Sequence, residues 1–202
     1  MGLRAKQKAD RSERIIQAAA ALFRADGFDA VRMEAIAALA EMAAGTVYNY
    51  FPTKGDLLVA IVSREVQEVL AAGEATVGNP PANAVAALSQ LVHGYYDHSL
   101  HYLSKDMWRA AMAMTIQAPD SPSSQHYVVL DSRLRGQVVA LLAALQARGL
   151  VRAACDPEAL GAMVFHNLDA MFRGFVTSDQ TLEGLRAEVD AQHGALAALI
   201  AL

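Results

Sequence analysis

Cysteine is almost missing from this chain: Cys155 stands alone among 202 residues. A single thiol excludes an intrachain disulfide framework and fits a reducing compartment, so a cytoplasmic location is expected. Proline and glycine are scarce as well, six and thirteen respectively. With few breakers in a chain that is 54% hydrophobic and rich in alanine, the strongest helix former, an all-α fold is expected. No uncharged apolar run reaches the ~18 residues that a membrane span needs. Residues 1–14 carry charge without an apolar segment, so neither a membrane partner nor a secretory signal is expected. A basic excess is lacking too: the net charge is −4, which argues against wholesale coating of nucleic acid. No Ser/His/Asp order, paired catalytic carboxylates or glycine-rich phosphate loop stands out, so no catalytic residue, no enzyme activity and no cofactor is expected. His98 and His101 share a helix face at i, i+3, near His93 and Asp97. Their remaining spacings match no ligand signature, and no metal is expected.

What the chain does have is length for a sizeable core, in one large domain or two modest ones, and an uneven charge distribution. Residues 1–14 hold Arg4, Lys6, Lys8, Arg11 and Arg14 against Asp10 and Glu13, whereas residues 61–202 hold 9 basic and 14 acidic side chains. A basic tip on an acidic body suits docking to phosphate at one end; a solvated tail reads the same way when taken alone.

Helical periodicity organises the rest. Asp10 and Glu13 make a capping box for a first helix whose face is Ile15, Ala18, Ala19, Leu22 and Phe23, with Gly27 at its C-terminal end. A short helix from about Met33 to Ala40, a break at Glu41-Met42-Ala43, and a second short helix from Ala44 to Tyr50 follow. Pro52 stops that helix, because proline disfavours α geometry at Phe51. Two short helices on a tight turn, with Thr46, Tyr48, Asn49 and Tyr50 outward, fit a major groove. Thr53 with Asp56 caps a long helix that fades at Ala71-Ala72-Gly73, and Asn79-Pro80-Pro81 is a boundary. Beyond it, helices are expected around residues 85–95, from Met107 to Gln117, from about Gln125 to Arg148 with Gly149 ending it, from Asp156-Pro157-Glu158 through Phe175, and from Leu182 to Leu199. The expected division is residues 1–52 and 53–202, with a linker helix at about 53–73.

Residues 12–58, SERIIQAAAALFRADGFDAVRMEAIAALAEMAAGTVYNYFPTKGDLL, resemble the DNA-binding domain of the tetracycline-repressor (TetR) family of transcriptional regulators, most distinctively in GTVYNYFPTK. The resemblance implies about nine helices, an N-terminal helix-turn-helix with a larger C-terminal helical domain, a homodimer through the last two helices, and release from a double-stranded DNA operator on binding a small effector. Three positions depart from the family pattern: Glu41 stands where the turn usually has glycine, Ala43-Ala44 where the recognition helix usually begins Ser-Lys, and Arg32 where a Ser/Thr cap is common. Arg32 can supply a phosphate contact in compensation.

Carried over by position, Thr46, Tyr48, Tyr50 and Lys54 are expected DNA-binding residues; Arg32, Ala44 and Asn49, which the family pattern does not supply, complete the expected set. Thr46 offers a hydroxyl and a methyl to base edges, Asn49 suits adenine, and the tyrosines and Lys54 suit phosphate. Val47 and Phe51 are expected in the core. Tyr95, Tyr96, His98, Trp108 and Met112, with Phe165 and His166, are the expected effector-binding residues, and their aromatic and thioether character suits an apolar or aromatic, largely neutral ligand. An ordinary packed core is the competing reading for each. The dimer interface is expected at Leu160, Asn167 and Met171 of the penultimate helix and Leu185, Val189 and Leu196 of the last. Asn167 sits in an apolar stripe, where it either sets register or is a satisfied core amide. The alternative function is a helical dimer with a working pocket, carrier or enzyme-like, that has lost operator binding.

Overall fold

The sequence from Leu3 to Ala9 contains good helix formers and no breaker, so the first helix does not wait for the expected cap at Asp10. In the computed structural model, which describes residues 2–201, α1 spans Leu3–Asp26 and its N-cap is Gly2, without a side-chain cap. Glu13 instead pairs with Arg64 and accepts a hydrogen bond from Gln17 at 2.7 Å. Gly27 ends α1 with φ 84°, a conformation that favours glycine. The remaining helices are α2 (Met33–Leu39), α3 (Ala44–Tyr50), α4 (Lys54–Gly78), α5 (Ala84–His98), α6 (Lys105–Gln117), α7 (Pro122–Ala147), α8 (Pro157–Val176) and α9 (Leu182–Ile200). The described residues are therefore all-helical, an N-terminal helix-turn-helix followed by a larger helical region. None of these helices is long and apolar enough to cross a membrane.

Several ends follow the sequence. Thr53 and Asp56 cap α4 reciprocally: the Thr53 amide donates to Asp56 at 3.0 Å and the Asp56 amide to Thr53 Oγ1 at 3.1 Å. Asp156 caps α8 by accepting from the Glu158 amide at 3.1 Å. Gly149 ends α7 at φ 71°. Two ends differ. α7 begins at Pro122 rather than near Gln125, because proline suits the first helical position and Ser121 accepts from the Ser124 amide at 3.2 Å. α4 continues past Gly73 to Gly78, since that glycine serves packing rather than termination. A Cβ there would lie 2.3 Å from Gln137 Oε1 and 2.8 Å from Leu91 Cδ1.

Packing divides the chain into two compact units that follow neither helix ends nor the boundary at 52/53: residues 1–64 with 102–127, and residues 65–101 with 128–202. In the first unit, Ile15, Ala19, Phe23, Ile36, Val47, Leu57, Leu58 and Met107 form a dry core. In the second, Leu88, Leu91, Leu141, Leu145, Phe175, Leu185 and Val189 do so. There α5 and α9 run against each other with three polar rungs. Ser89 Oγ meets His193 Nδ1 at 3.2 Å, His93 Nε2 meets Asp190 at 3.1 Å, and Asp97 pairs with Arg186. Spaced by four on α5 and by three or four on α9, these rungs sit on facing helix stripes and fix the register. Between α7 and α8 the backbones approach closely at Gly161, where a Cβ would lie 3.0 Å from Val139 Cα.

Candidate nucleic-acid interface

α3 has seven residues, and of these only Val47 is fully buried. That single anchor sets the helix's rotation: Tyr48 and Asn49 are exposed, and Thr46 and Tyr50 half-buried. Phe51, expected in the core, is half-buried just past the helix, with φ −136° ahead of Pro52. Neither Ala43, the N-cap of α3, nor Arg32, the N-cap of α2, makes a side-chain cap bond. Such losses cost each helix roughly 1 kcal/mol. The α2–α3 turn is held differently. Glu41 adopts φ 55°, the left-handed region that glycine usually fills. Arg14 secures the strained turn, donating to the Ala40 carbonyl at 2.7 Å and to Glu41 at 3.1 Å. The acidic side chain that would face phosphate therefore carries its own counter-charge.

The expected contact residues are brought to one unit but differ in availability. Tyr48 is 42% exposed and its hydroxyl donates to Glu34 at 3.2 Å. Partial desolvation, then that bond and the Glu34 charge, raise its pKa. Lys54 donates to the carbonyls of Phe28 and Asp29 at 2.8 and 3.0 Å, and lies 4.8 Å above the Phe28 ring. It closes the α1–α2 loop, a role that its spacing from Pro52 does not reveal. Arg32 and Ala44 lie at the starts of α2 and α3, exposed and half-buried respectively.

The expected effector residues are divided between the two units. Trp108 and Met112 fall in the first unit, the others in the second. Tyr95 donates to Gln137 Oε1 at 2.7 Å, while Gln137 Nε2 donates to the Leu70 carbonyl at 2.8 Å. Tyr96 donates to the Leu168 carbonyl at 2.7 Å and stacks on Phe172 at 5.7 Å. Burial raises both phenols. His98 is clamped between the buried Glu65, at 2.5 Å, and Glu68, at 3.2 Å. Phe165 is half-buried and His166 exposed. Sequence reasoning missed Asp131, a half-buried carboxyl that burial lifts to about 6 against the opposing charge of Arg173. Its signal was its place three residues before Leu134, on the stripe that α7 buries at Val138, Leu141 and Leu145. Within the first unit an open cleft of 1180 Å³ lies among the α1–α2 loop, the α3–α4 turn and α6, lined by Phe28, Thr53, Asp56, Arg109 and Met114 among others; Trp108 and Met112 do not line it.

At the C-terminal pair the expected interface splits. Leu185 and Val189 are fully buried within this chain, packed in the second unit where α9 meets α5, and Met171 is 8% exposed. A second copy cannot reach Leu185 or Val189 without opening that core. Asn167 is exposed and bonds Gln192 across α8–α9 at 2.6 Å, and Leu160 and Leu196 are half-buried. The wholly outward apolar groups are Met163 and Leu199, at 69% and 71% exposure. Apolar side chains therefore occupy two faces of these helices, one buried and one exposed.

Residues 15–61 match the family model described as bacterial regulatory proteins, tetR family. A 104-residue stretch is 38% identical to the HTH-type transcriptional repressor KstR of Rhodococcus jostii, covering 51% of this chain and 48% of that protein. The chain thus spans about half the length of that relative. Among solved structures, a TetR-family transcriptional regulator from Mesorhizobium loti superposes with a TM-score of 0.75 at 22% identity, over 96% of this chain and 98% of the other. FadR of Thermus thermophilus, a TetR-family repressor solved with lauroyl-CoA, does so with a TM-score of 0.68 at 20% identity, over 93% of each. At these identities the likeness shows the fold.

Proposed function

We propose that the chain is a member of the tetR family of bacterial regulatory proteins, whose model it matches at residues 15–61, and that it is a homodimeric, ligand-responsive repressor, located in the cytoplasm, that reads double-stranded DNA with α3. The observation that carries this reading is the orientation of α3, which buries Val47 and leaves Thr46, Tyr48, Asn49 and Tyr50 toward the surface. Thr46 and Asn49 are the base-reading groups. Tyr48 and Tyr50, with Arg32, are the positioning groups at phosphate. Lys54 acts through the loop it closes, with any phosphate contact secondary.

The outward Met163 and Leu199, together with Leu160, Asn167 and Leu196, are the surface for a second copy, in a four-helix arrangement. Two recognition helices then lie about 34–36 Å apart, one turn of the duplex. The effector is a small, largely apolar or aromatic molecule held in the second helical region, a class supported by the acyl ligand of the FadR neighbour. The chain performs no chemistry on it, so it is not an enzyme. Effector binding favours a conformer whose recognition helices no longer match the half-sites, and by linkage operator DNA weakens effector binding by the same factor. The reading is tested by gel-shift with the DNA flanking the chain's own coding region. A discrete complex that Asn49→Ala weakens supports it. Binding no tighter than to random-sequence DNA rejects operator recognition and favours a dimer with a working pocket that has lost it.

A further inference from the structure

We propose that the first turns of α1 and the end of α3 form a second DNA-contacting surface, in which Arg4, Lys8 and Arg11 follow the phosphate backbone beside the groove that α3 enters. The inference rests on the DNA-binding reading above and extends it to residues outside the family model, whose match begins at residue 15.

The argument starts from helix phase. Because α1 begins at Leu3, residues 4–11 are helical and all exposed, although the core begins only at Ile15. Arg4, Lys8, Arg11 and Ile15 recur at i, i+4, i+7 and i+11, so they share one stripe of the helix. Ile15 is 0% exposed. The stripe that enters the core at Ile15 therefore continues outward as a row of cations. Lys6 lies on roughly the opposite side.

Availability separates these cations from the others nearby. Arg14 is taken up by Ala40 and Glu41, Arg64 by Glu13, and Lys54 by the Phe28 and Asp29 carbonyls. Arg4, Lys8 and Arg11 make no ion pair or hydrogen bond with any described residue. Open positive charge in this unit thus lies on the first turns of α1 as well as on Arg32 at the start of α2.

Lys8 also lines a cleft of 430 Å³ between α1 and α3, with Ala5, Ala9, Ser12, Asn49, Tyr50 and Phe51. Its polar groups are an ammonium, two hydroxyls and an amide, and no carboxylate lines it. A set of donors without a competing anion suits phosphate oxygens. Asn49 and Tyr50 belong to the recognition helix itself, so the backbone of the strand that α3 follows is the phosphate source within reach. From Arg4 to Arg11 the stripe is ~10 Å long, enough for about two to three phosphates at 3.4 Å of axis each.

The test is fluorescence anisotropy across a range of sodium chloride concentrations. One probe is a short duplex selected from a random library by the wild-type chain, the other a random-sequence duplex of equal length. The triple variant R4Q/K8Q/R11Q is expected to lose affinity for both duplexes by similar factors, with its salt slope shallower by about 2. K6Q, off the stripe, is expected to match the wild type, and T46A to lose affinity for the selected duplex alone. Equal helicity and melting temperature of all variants separate contact from folding. A triple variant with the wild-type salt slope overturns the proposal while leaving α3 recognition standing, as does K6Q reducing the slope as much as the triple change. Selection that yields no preferred duplex rejects the regulator reading itself, and this proposal with it.

Discussion

Glu41 and Lys54 show how single side chains set the form of the DNA-reading unit. A non-glycine residue at φ 55° carries strain of order 1 kcal/mol, and an exposed pair with Arg14 returns only a fraction of that. Glu41→Gly is therefore expected to stabilise the chain by up to about 1 kcal/mol, raising the melting temperature by about 2–4 °C; a lowered midpoint in a thermal melt contradicts the strain argument. Lys54 bonds two loop carbonyls with a charged amine, a contact of the kind worth about 1.5–3 kcal/mol. Lys54→Ala should lower the melting temperature as well as weaken DNA binding, whereas a pure phosphate anchor would leave the melt unchanged. The departure at Glu41 was legible in the sequence because glycine is the residue a left-handed turn favours. The Lys54 latch was not, because its partners are backbone carbonyls some 25 residues away, and backbone groups leave no mark on composition.

At the scale of the element, helix ends were the most legible part of the chain. Gly27, Pro52, Thr53, Asp156 and Gly149 each impose a backbone angle or a cap that acts locally, and each marks an end in the structure. Errors arose where tertiary packing overrode a local signal, as at Gly73, whose missing side chain makes room for Gln137 and Leu91. Gly161 is of the same kind, and Gly161→Ala is expected to destabilise the chain by about 1–3 kcal/mol because its neighbour includes Val139 backbone. Chemical denaturation measures this, and a loss within experimental error contradicts the close approach. The α5–α9 rungs add a pH dependence. Burial lowers the His193 pKa from 6.5 to about 4, with Asp190 opposing and His93 reinforcing the shift. The unfolded chain thus binds the proton more readily, so the contribution of neutral His193 is complete above pH 6.5 and is lost as pH falls toward 4. His193→Leu should flatten the fall in melting temperature across that window; an unchanged pH profile contradicts the assignment.

For the whole molecule, the fold class and the N-terminal reading element were legible because helical periodicity and a short motif act over neighbouring residues. Function at longer range was less so. The aromatic residues expected around an effector are divided between two compact units, and Tyr95 and Tyr96 spend their hydroxyls on Gln137 and Leu168. Likewise, periodicity alone cannot tell a stripe that faces α5 from one that faces a second copy. Leu185 and Val189 belong to the first kind, and the exposed Met163 and Leu199 are proposed for the second. Replacing Met163 and Leu199 together by Glu is expected to yield monomers by analytical ultracentrifugation, since these exposed side chains carry none of the chain's own core; a persistent dimer places the interface elsewhere. The central claim is that α3 reads DNA sequence. The most direct measurement compares wild type with Thr46→Ala/Asn49→Ala on the selected and the random duplex at one salt concentration. The account predicts that the double change removes the preference for the selected duplex while nearly sparing binding to the random one. An undiminished preference in the variant would show that sequence is read by another element.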